Sequence, residues 1–463
     1  MRRPTTTEAA DGLPSGQRLL AMVSLGVAVA MAVLDGSIAN VALPTIARQL
    51  HATPAGSIWV VNSYQLAVTI SLLPLASLGD VHGHRRIFCC GLVLYTLASV
   101  GCALATTLPE LVAGRVMQGF GGAGIMSVNG ALIRFIFPRS QLGRGIGYNV
   151  LVVATSSASG PSVAAAIMAV ASWPFLFWIQ VPFGLVSLLL STRFLPRSPL
   201  TAHAFDVVSA VMNAATLGLF IIGLDGIGHG ERLPLVAVEL AGSVVMGWIF
   251  VRRQLRLRPP LLPVDLLIQR PVFALSVATA VCCHASQIIA LVVLPFYFQY
   301  AGGLSPFDTG VLMTPWPAVV IVVAPIAGRL ADRYSAGILG GLGLAVMVVG
   351  LVLTMLMPAT ASWPQVAWRL ALCGAGFGLF QSPNNRLLIG SAPPDRAGAG
   401  SGMLSTSRLV GQTTGSALVA VVLGLTHGGP DAIVRATHIS LGMAAGFALV
   451  ATGLSWLRVV PPR

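Results

Sequence analysis

Lysine is absent from this chain of 463 residues, and acidic residues number only 14. All 27 strongly basic side chains are arginines. Charged residues make up 9% of the sequence, against about 25% in a soluble domain. With 55% apolar residues there is too little polar surface to face water, so the solvent must be lipid. Catalytic signatures are missing too. No GxxxxGK[ST] run is present to cradle ATP phosphates, and no HExxH or GxSxG run marks a hydrolase. The chain reads as a non-enzyme that does not use ATP. Its six cysteines all lie in apolar runs, where they act as small packing residues and not as disulfides or metal ligands. No metal and no other cofactor is called for. The N-terminus carries no cleavable signal pattern, and residues 1–18 form a polar tail.

What the chain does have is long apolar stretches with its charge confined to the gaps between them. Mean hydropathy is +0.84. Counting runs of roughly 20 residues predicts about 14 spans, hence an all-α polytopic membrane protein. An even number puts both termini on one side. With these spans, Arg48, Arg232 and Arg435 fall in loops of one side, and Arg115, Arg369 and Arg408 fall within spans. The other 21 arginines fall in alternate loops or the tails, which the positive-inside rule makes cytoplasmic. The expected location is the cell (inner) membrane, with both termini in the cytoplasm. The net charge of +13 then reads as orientation and contact with anionic membrane lipid. Nucleic-acid binding is excluded as its meaning, because the arginines sit in short tight loops.

The sequence repeats itself at an offset of roughly 252 to 255 residues. Gly143-x-Gly145-x-Gly147 with Gly160 recurs as Gly398-x-Gly400-x-Gly402 with Gly415. Leu78-x-Asp80 recurs as Leu330-x-Asp332, and Arg115 recurs with a small slip as Arg369. The expected organisation is a six-helix bundle at 19–200, two inserted helices at 201–265, and a second six-helix bundle with a short tail at 266–463. Parallel six-helix repeats with a site between them are a transporter plan.

Motifs narrow the chemistry. Leu78-Gly-Asp80-Val-His-Gly83-His-Arg85-Arg86 joins two helices at the cytoplasmic face. Gly83 permits a left-handed turn, and Asp80 can face the arginines and the start of the next helix. With Asp332 and Arg333 in the second copy, the expectation is a charged latch that holds helices in one of two arrangements. Asp35, inside the first apolar run, is the most informative residue: a carboxylate there is expensive and faces a cavity or a partner. Helix rise puts Arg115 at the same depth on a helix running the opposite way. Proton coupling through Asp35 and Arg115 is one reading; a structural hydrogen bond or a structural arginine is the other. Arg408 is deep in its helix and calls for a partner, expected to be structural. Polar and aromatic residues that could line a substrate cavity are Tyr64, Gln65, Asn149, His284, Gln287, Phe377, Phe380, Gln381 and Gln412. Core packing is the competing reading for the aromatics, and helix-to-helix bonding for the polar groups.

These motifs resemble those of the major facilitator superfamily, and of its 14-helix drug:proton antiporter branch (EmrB/QacA-like). Leu34-Asp35-Gly-Ser-Ile-Ala-Asn40-Val-Ala-Leu-Pro44 resembles that branch's first-helix motif. Arg115-Val-Met-Gln118-Gly119-Phe-Gly121-Gly122 resembles its fourth-helix motif, and Gly160-Pro161 its fifth-helix antiporter motif. Leu294-Pro295-x-Tyr297-x-Gln299, Gly376-Phe-Gly378-Leu-Phe-Gln381-Ser-Pro383-Asn384-Asn385 and Ser407-Arg408-x-x-Gly411-Gln412 extend the likeness to about residue 457. Within the branch the chain is most similar to the YebQ-like group. Departures are Ala76 for a usual glycine, Val81 for a usual arginine, and Ala164-Ala165 for two glycines, which would thicken the fifth-helix contact. The resemblance implies a monomer that exports small lipophilic or amphipathic compounds in exchange for protons by alternating access. A dedicated exporter of one metabolite is the alternative. A non-transporting sensor is more remote, since it would carry a soluble output domain and none is present.

Overall fold

Lipid offers no hydrogen bonds, so each spanning segment must satisfy its own backbone. Among the described residues every regular element is accordingly a helix. The computed structural model describes residues 12–459 other than 199, 201–204, 229–230, 258–259, 358–361, 394–395 and 427–428. The polar tail before residue 12 and Arg258 of one basic cluster therefore lie outside the described residues.

Fourteen long helices follow in order: α1 (Ser15–Gln49), α2 (Pro54–His82), α3 (His84–Leu104), α4 (Leu108–Ile136), α5 (Leu142–Val170), α6 (Phe175–Phe194), α7 (Val207–Gly228), α8 (Leu233–Gln254), α9 (Pro271–Ala301), α10 (Pro306–Leu330), α11 (Ala336–Met355), α12 (Trp363–Gly390), α13 (Ala397–Leu425) and α14 (Gly429–Trp456). Thirteen of them are long and apolar enough to cross a membrane. The exception is α12, 28 residues long. Arg369 and the polar run Gln381-Ser-Pro-Asn-Asn-Arg386 make it less apolar than the rest. It is the fourteenth span by length and by its place in the packing.

That packing recurs along the chain. Helix α4 lies against α2 and α3, as α12 lies against α10 and α11; α1 lies against α5 and α6, as α9 lies against α13 and α14. Glycines make the equivalent contacts. A Cβ on Gly121 would come within 2.7 Å of the Gly91 carbonyl, and one on Gly376 within 2.6 Å of the Gly343 carbonyl. Both sites need bare backbone for close helix approach. Start signals recur as well. Thr107 and Glu110 form a capping box at α4, and Ser362 and Gln365 form one at α12.

The seam between these two sets of helices is formed by α1 with α9, α5 with α10, and α2 with α13. It is closed at the end away from the N-terminal tail. There Gln299 donates to the Val41 carbonyl at 2.9 Å and accepts from Thr45 at 3.1 Å. Pro295 interrupts α9, and a π-helical turn, Tyr297–Ala301, carries Gln299 and Tyr300 at the α1 boundary. On the other flank, Ser162 and Thr314 share a hydrogen bond at 2.9 Å. Helix α7 runs along the outside of the seam and touches both sides. Asn213 donates to the Ile70 carbonyl of α2 at 3.2 Å, and Gly228 lies against Val421 and Gly424 of α13.

Candidate functional site

The site is built inward from glycines on α4. Gly119 lets the backbone of α2 approach at Tyr64 and Ala67, Gly121 admits α3, and Gly122 makes room for the Tyr64 hydroxyl. This close packing brings α1, α2, α3, α4 and α6 around Asp35, which is 2% exposed. The fully buried Arg115 donates from Nη1 to Asp35 Oδ2, and from the same nitrogen to Gln118 Oε1 at 2.6 Å. Its Nε donates to the Val60 carbonyl at 2.8 Å. Its guanidinium lies over the Tyr64 ring, 4.4 Å from the centroid, with Phe177 at 5.6 Å on another side.

The other carboxylate oxygen is met by amides. Gln180 Nε2 reaches Asp35 Oδ1 at 2.9 Å and Gln118 Nε2 reaches it at 3.4 Å. Tyr95 donates to Gln180 Oε1, and Gln118 bonds Ser99 at 3.0 Å. Tyr64 donates to the Ala32 carbonyl at 3.0 Å. A buried carboxyl group is thus met by one arginine and two amides. Arg115 Nη2 is buried without a partner.

Only part of the expected cavity lining lies where the sequence suggested. Tyr64, 4% exposed, belongs to this network and not to open space. Phe380 is fully buried between α11 and α12, against Gly340 and Gly343, and Phe377 packs edge-on against His284 at 5.6 Å. For these aromatics core packing holds, because the small residues facing them leave ring-sized gaps. His284 is spent on the Ala280 carbonyl at 2.8 Å, Gln65 lies 3.4 Å from Ser416 across the seam, and Asn149 accepts from Asn129 at 2.9 Å. Gln287, Gln381 and Gln412 keep partial exposure. The repeat offset of 252 residues, set by Asp80 and Asp332, puts Gln287 where Asp35 stands. The second copy therefore lacks the acid.

The expected latch is present with different pairings. Gly83 has φ of +99°, a conformation that glycine tolerates. Asp80 bonds His84 at 3.1 Å, at the start of α3 that it was expected to face. Arg85 instead donates to the Thr192 carbonyl of α6, and Arg86 stands beside it in a cavity of about 450 Å³ with His82 and Arg197. Asp332 pairs with Arg386 of α12, not with Arg333. A further clamp at this end joins Asp265 to Arg396; the guanidinium holds the Asp265 carboxyl below the usual carboxylate range. On α5, Gly160 faces Ser37 of α1. Ala165 does not thicken the contact as expected, because Gly310 of α10 is the glycine opposite it.

A helical bundle with doubled packing and a buried acid–arginine pair in one half is the architecture of a secondary transporter. The chain belongs to the Major Facilitator Superfamily, whose profile matches residues 25–416. It is 53% identical to the uncharacterized transporter YebQ of Escherichia coli (strain K12), over 98% of each chain. It is 29% identical to the riboflavin transporter RibZ of Clostridioides difficile (strain 630), over 87% of each. It is also 29% identical to the multidrug resistance protein Stp of Mycobacterium tuberculosis, over 88% of this chain and 76% of that one. Such relatives bear out the drug-resistance-type branch that the motifs resemble.

Proposed function

We propose that this chain is a proton-coupled exporter of small lipophilic or amphipathic compounds. Two halves, 19–200 and 266–463, rock about the seam, with the inserted helices of 201–265 alongside it. The observation that carries this reading is the Asp35–Arg115 pair. A carboxylate held by a cation and two amides, with no second acid nearby, is a single site that a proton can discharge. Proton entry would free Arg115 and loosen α1 against α4; proton release would restore the pair. The arginine-rich end then faces the cytoplasm and the closed end faces outward. A monomer in the cell (inner) membrane suffices, exchanging substrate for protons without ATP. Relatedness to a multidrug resistance protein supports a broad substrate range.

A dedicated exporter of one metabolite is the second reading, favoured by relatedness to a riboflavin transporter. Proteoliposomes with an imposed pH gradient test both. We expect gradient-driven movement of ethidium by the native chain and its loss in Asp35→Asn. Movement of riboflavin but not of ethidium would favour the dedicated exporter. Movement that ignores the gradient, or that survives in Asp35→Asn, would overturn proton coupling through this site.

A further inference from the structure

Arginines inside the spans are costly unless satisfied, and of Arg115, Arg369 and Arg408 only the last makes no hydrogen bond at all among the described residues. Arg115 has Asp35, Gln118 and Val60. Arg369 donates to the Leu353 and Gln365 carbonyls at 3.0 and 2.7 Å and lies on Trp368. Arg458, just past α14, bonds Asn384, Ser276 and Ser455. Arg408 was expected to have a structural partner. Among the described residues its guanidinium makes no hydrogen bond and no ion pair, and its Nε is buried and unpartnered.

Arg408 also lies at the right place for a ligand. It is half-buried with its Nε sealed from solvent, so the rest of the side chain reaches accessible space. Its neighbour Leu409 joins the core beside Tyr64 and Leu72 of α2, while Gly411 sits against Val281 and His284 of α9. Arg408 therefore lies at the seam, within electrostatic reach of Tyr64 and His284. No free acid is available to it: Asp35 is the acid nearest Tyr64, and Arg115 holds it. A half-buried cation with five donors and no protein partner among the described residues fits a carboxylate, sulfonate or phosphate group.

We propose that Arg408 is the anion-recognising residue of the substrate cavity, and that among compounds of similar apolar bulk those carrying one anionic group are bound in preference. This rests on the exporter reading and narrows its substrate class. The anion would then sit near Tyr64, whose ring also lies under Arg115 of the proposed proton site.

The test uses two dyes of nearly equal apolar bulk: anilinonaphthalene sulfonate, which carries an anion, and the neutral N-phenylnaphthylamine. Binding is measured on the full chain in nanodiscs, against empty discs, and gradient-driven movement in proteoliposomes. We expect the native chain to prefer the sulfonate, Arg408→Gln to lose sulfonate binding at least tenfold, and Arg408→Lys to retain most of it. Binding of the neutral dye should stay within about twofold throughout. Equal loss of both dyes in Arg408→Gln would mean a structural role and overturn the proposal, as would sulfonate binding that ignores Arg408 or is absent from the native chain. Arg408-dependent binding without gradient-driven movement would instead leave the anion site standing and overturn the exporter reading.

Discussion

At Asp35 a single carboxylate organises five helices, and its energetics follow from what each partner would lose. Removing the guanidinium with Arg115→Ala leaves a buried charge with amide donors alone, a change that costs about 3–5 kcal/mol where a buried pair is broken. Asp35→Asn leaves Arg115 uncompensated in the same dry space. Replacing both by apolar residues, Asp35→Leu with Arg115→Met, removes both charges and should recover much of that loss. Melting of the purified protein in detergent is therefore expected to fall further in Arg115→Ala than in the double variant. Losses that simply add would mean that the two side chains are not coupled. Asp35 and Arg115 were legible in the sequence because charge inside an apolar run has few inexpensive explanations. Gln180 and Tyr95 were not. A single amide in the run Trp178-Ile-Gln180-Val, or a tyrosine in α3, costs little in lipid and so leaves no signal.

Among the elements, glycine spacing explains both what could be read and what could not. The recurrence of small residues pointed to two copies of one plan, and the same close approaches occur at Gly121 and Gly376. The hydropathy of α12 blurred the span count, because cavity-facing polar residues and an apolar membrane face share one helix. Which small residue faces which helix was not legible: the missing glycine at Ala165 is supplied by Gly310, in another helix 145 positions away by residue number. Helix α4 gives a direct test. A valine at position 121 would place its Cβ within 2.5 Å of the Tyr95 amide nitrogen and add two methyl groups beyond it. Overpacking of this kind costs about 1–3 kcal/mol, and here it also pushes α3, and with it Tyr95, from the Gln180 side chain. Gly121→Val is expected to melt earlier than the native chain and to lose proton-driven transport, whereas Gly101→Val, which meets nothing within 4 Å, should do neither. Equal behaviour of the two variants in a thermal-shift assay would remove the close-approach argument.

For the whole molecule, the distribution of contacts across the seam decides what kind of motion is open to it. At the end away from the N-terminal tail the two halves interlock through Gln299 with Thr45, Tyr300 with Pro44, and Ser162 with Thr314. Toward the other end α2 and α13 stay in contact through Thr69 with Thr413 and Leu73 with Gly402, whereas on α5 Gly143 and Gly147 would meet nothing within 4 Å and Val150 and Leu151 are exposed. A seam interlocked at one end is what one of the two states of alternating access requires. Rocking between them must break the Ser162–Thr314 contact. Cysteines at both positions would place two thiols where hydroxyls now touch at 2.9 Å, close to the reach of a disulfide. Oxidising Ser162→Cys/Thr314→Cys should hold the closed end shut and bring transport to background, with recovery on reduction; each single variant should be insensitive to both treatments. Transport that continues in protein verified to be cross-linked would mean that this flank of the seam never opens, and that substrate leaves by a route other than rocking of the two halves.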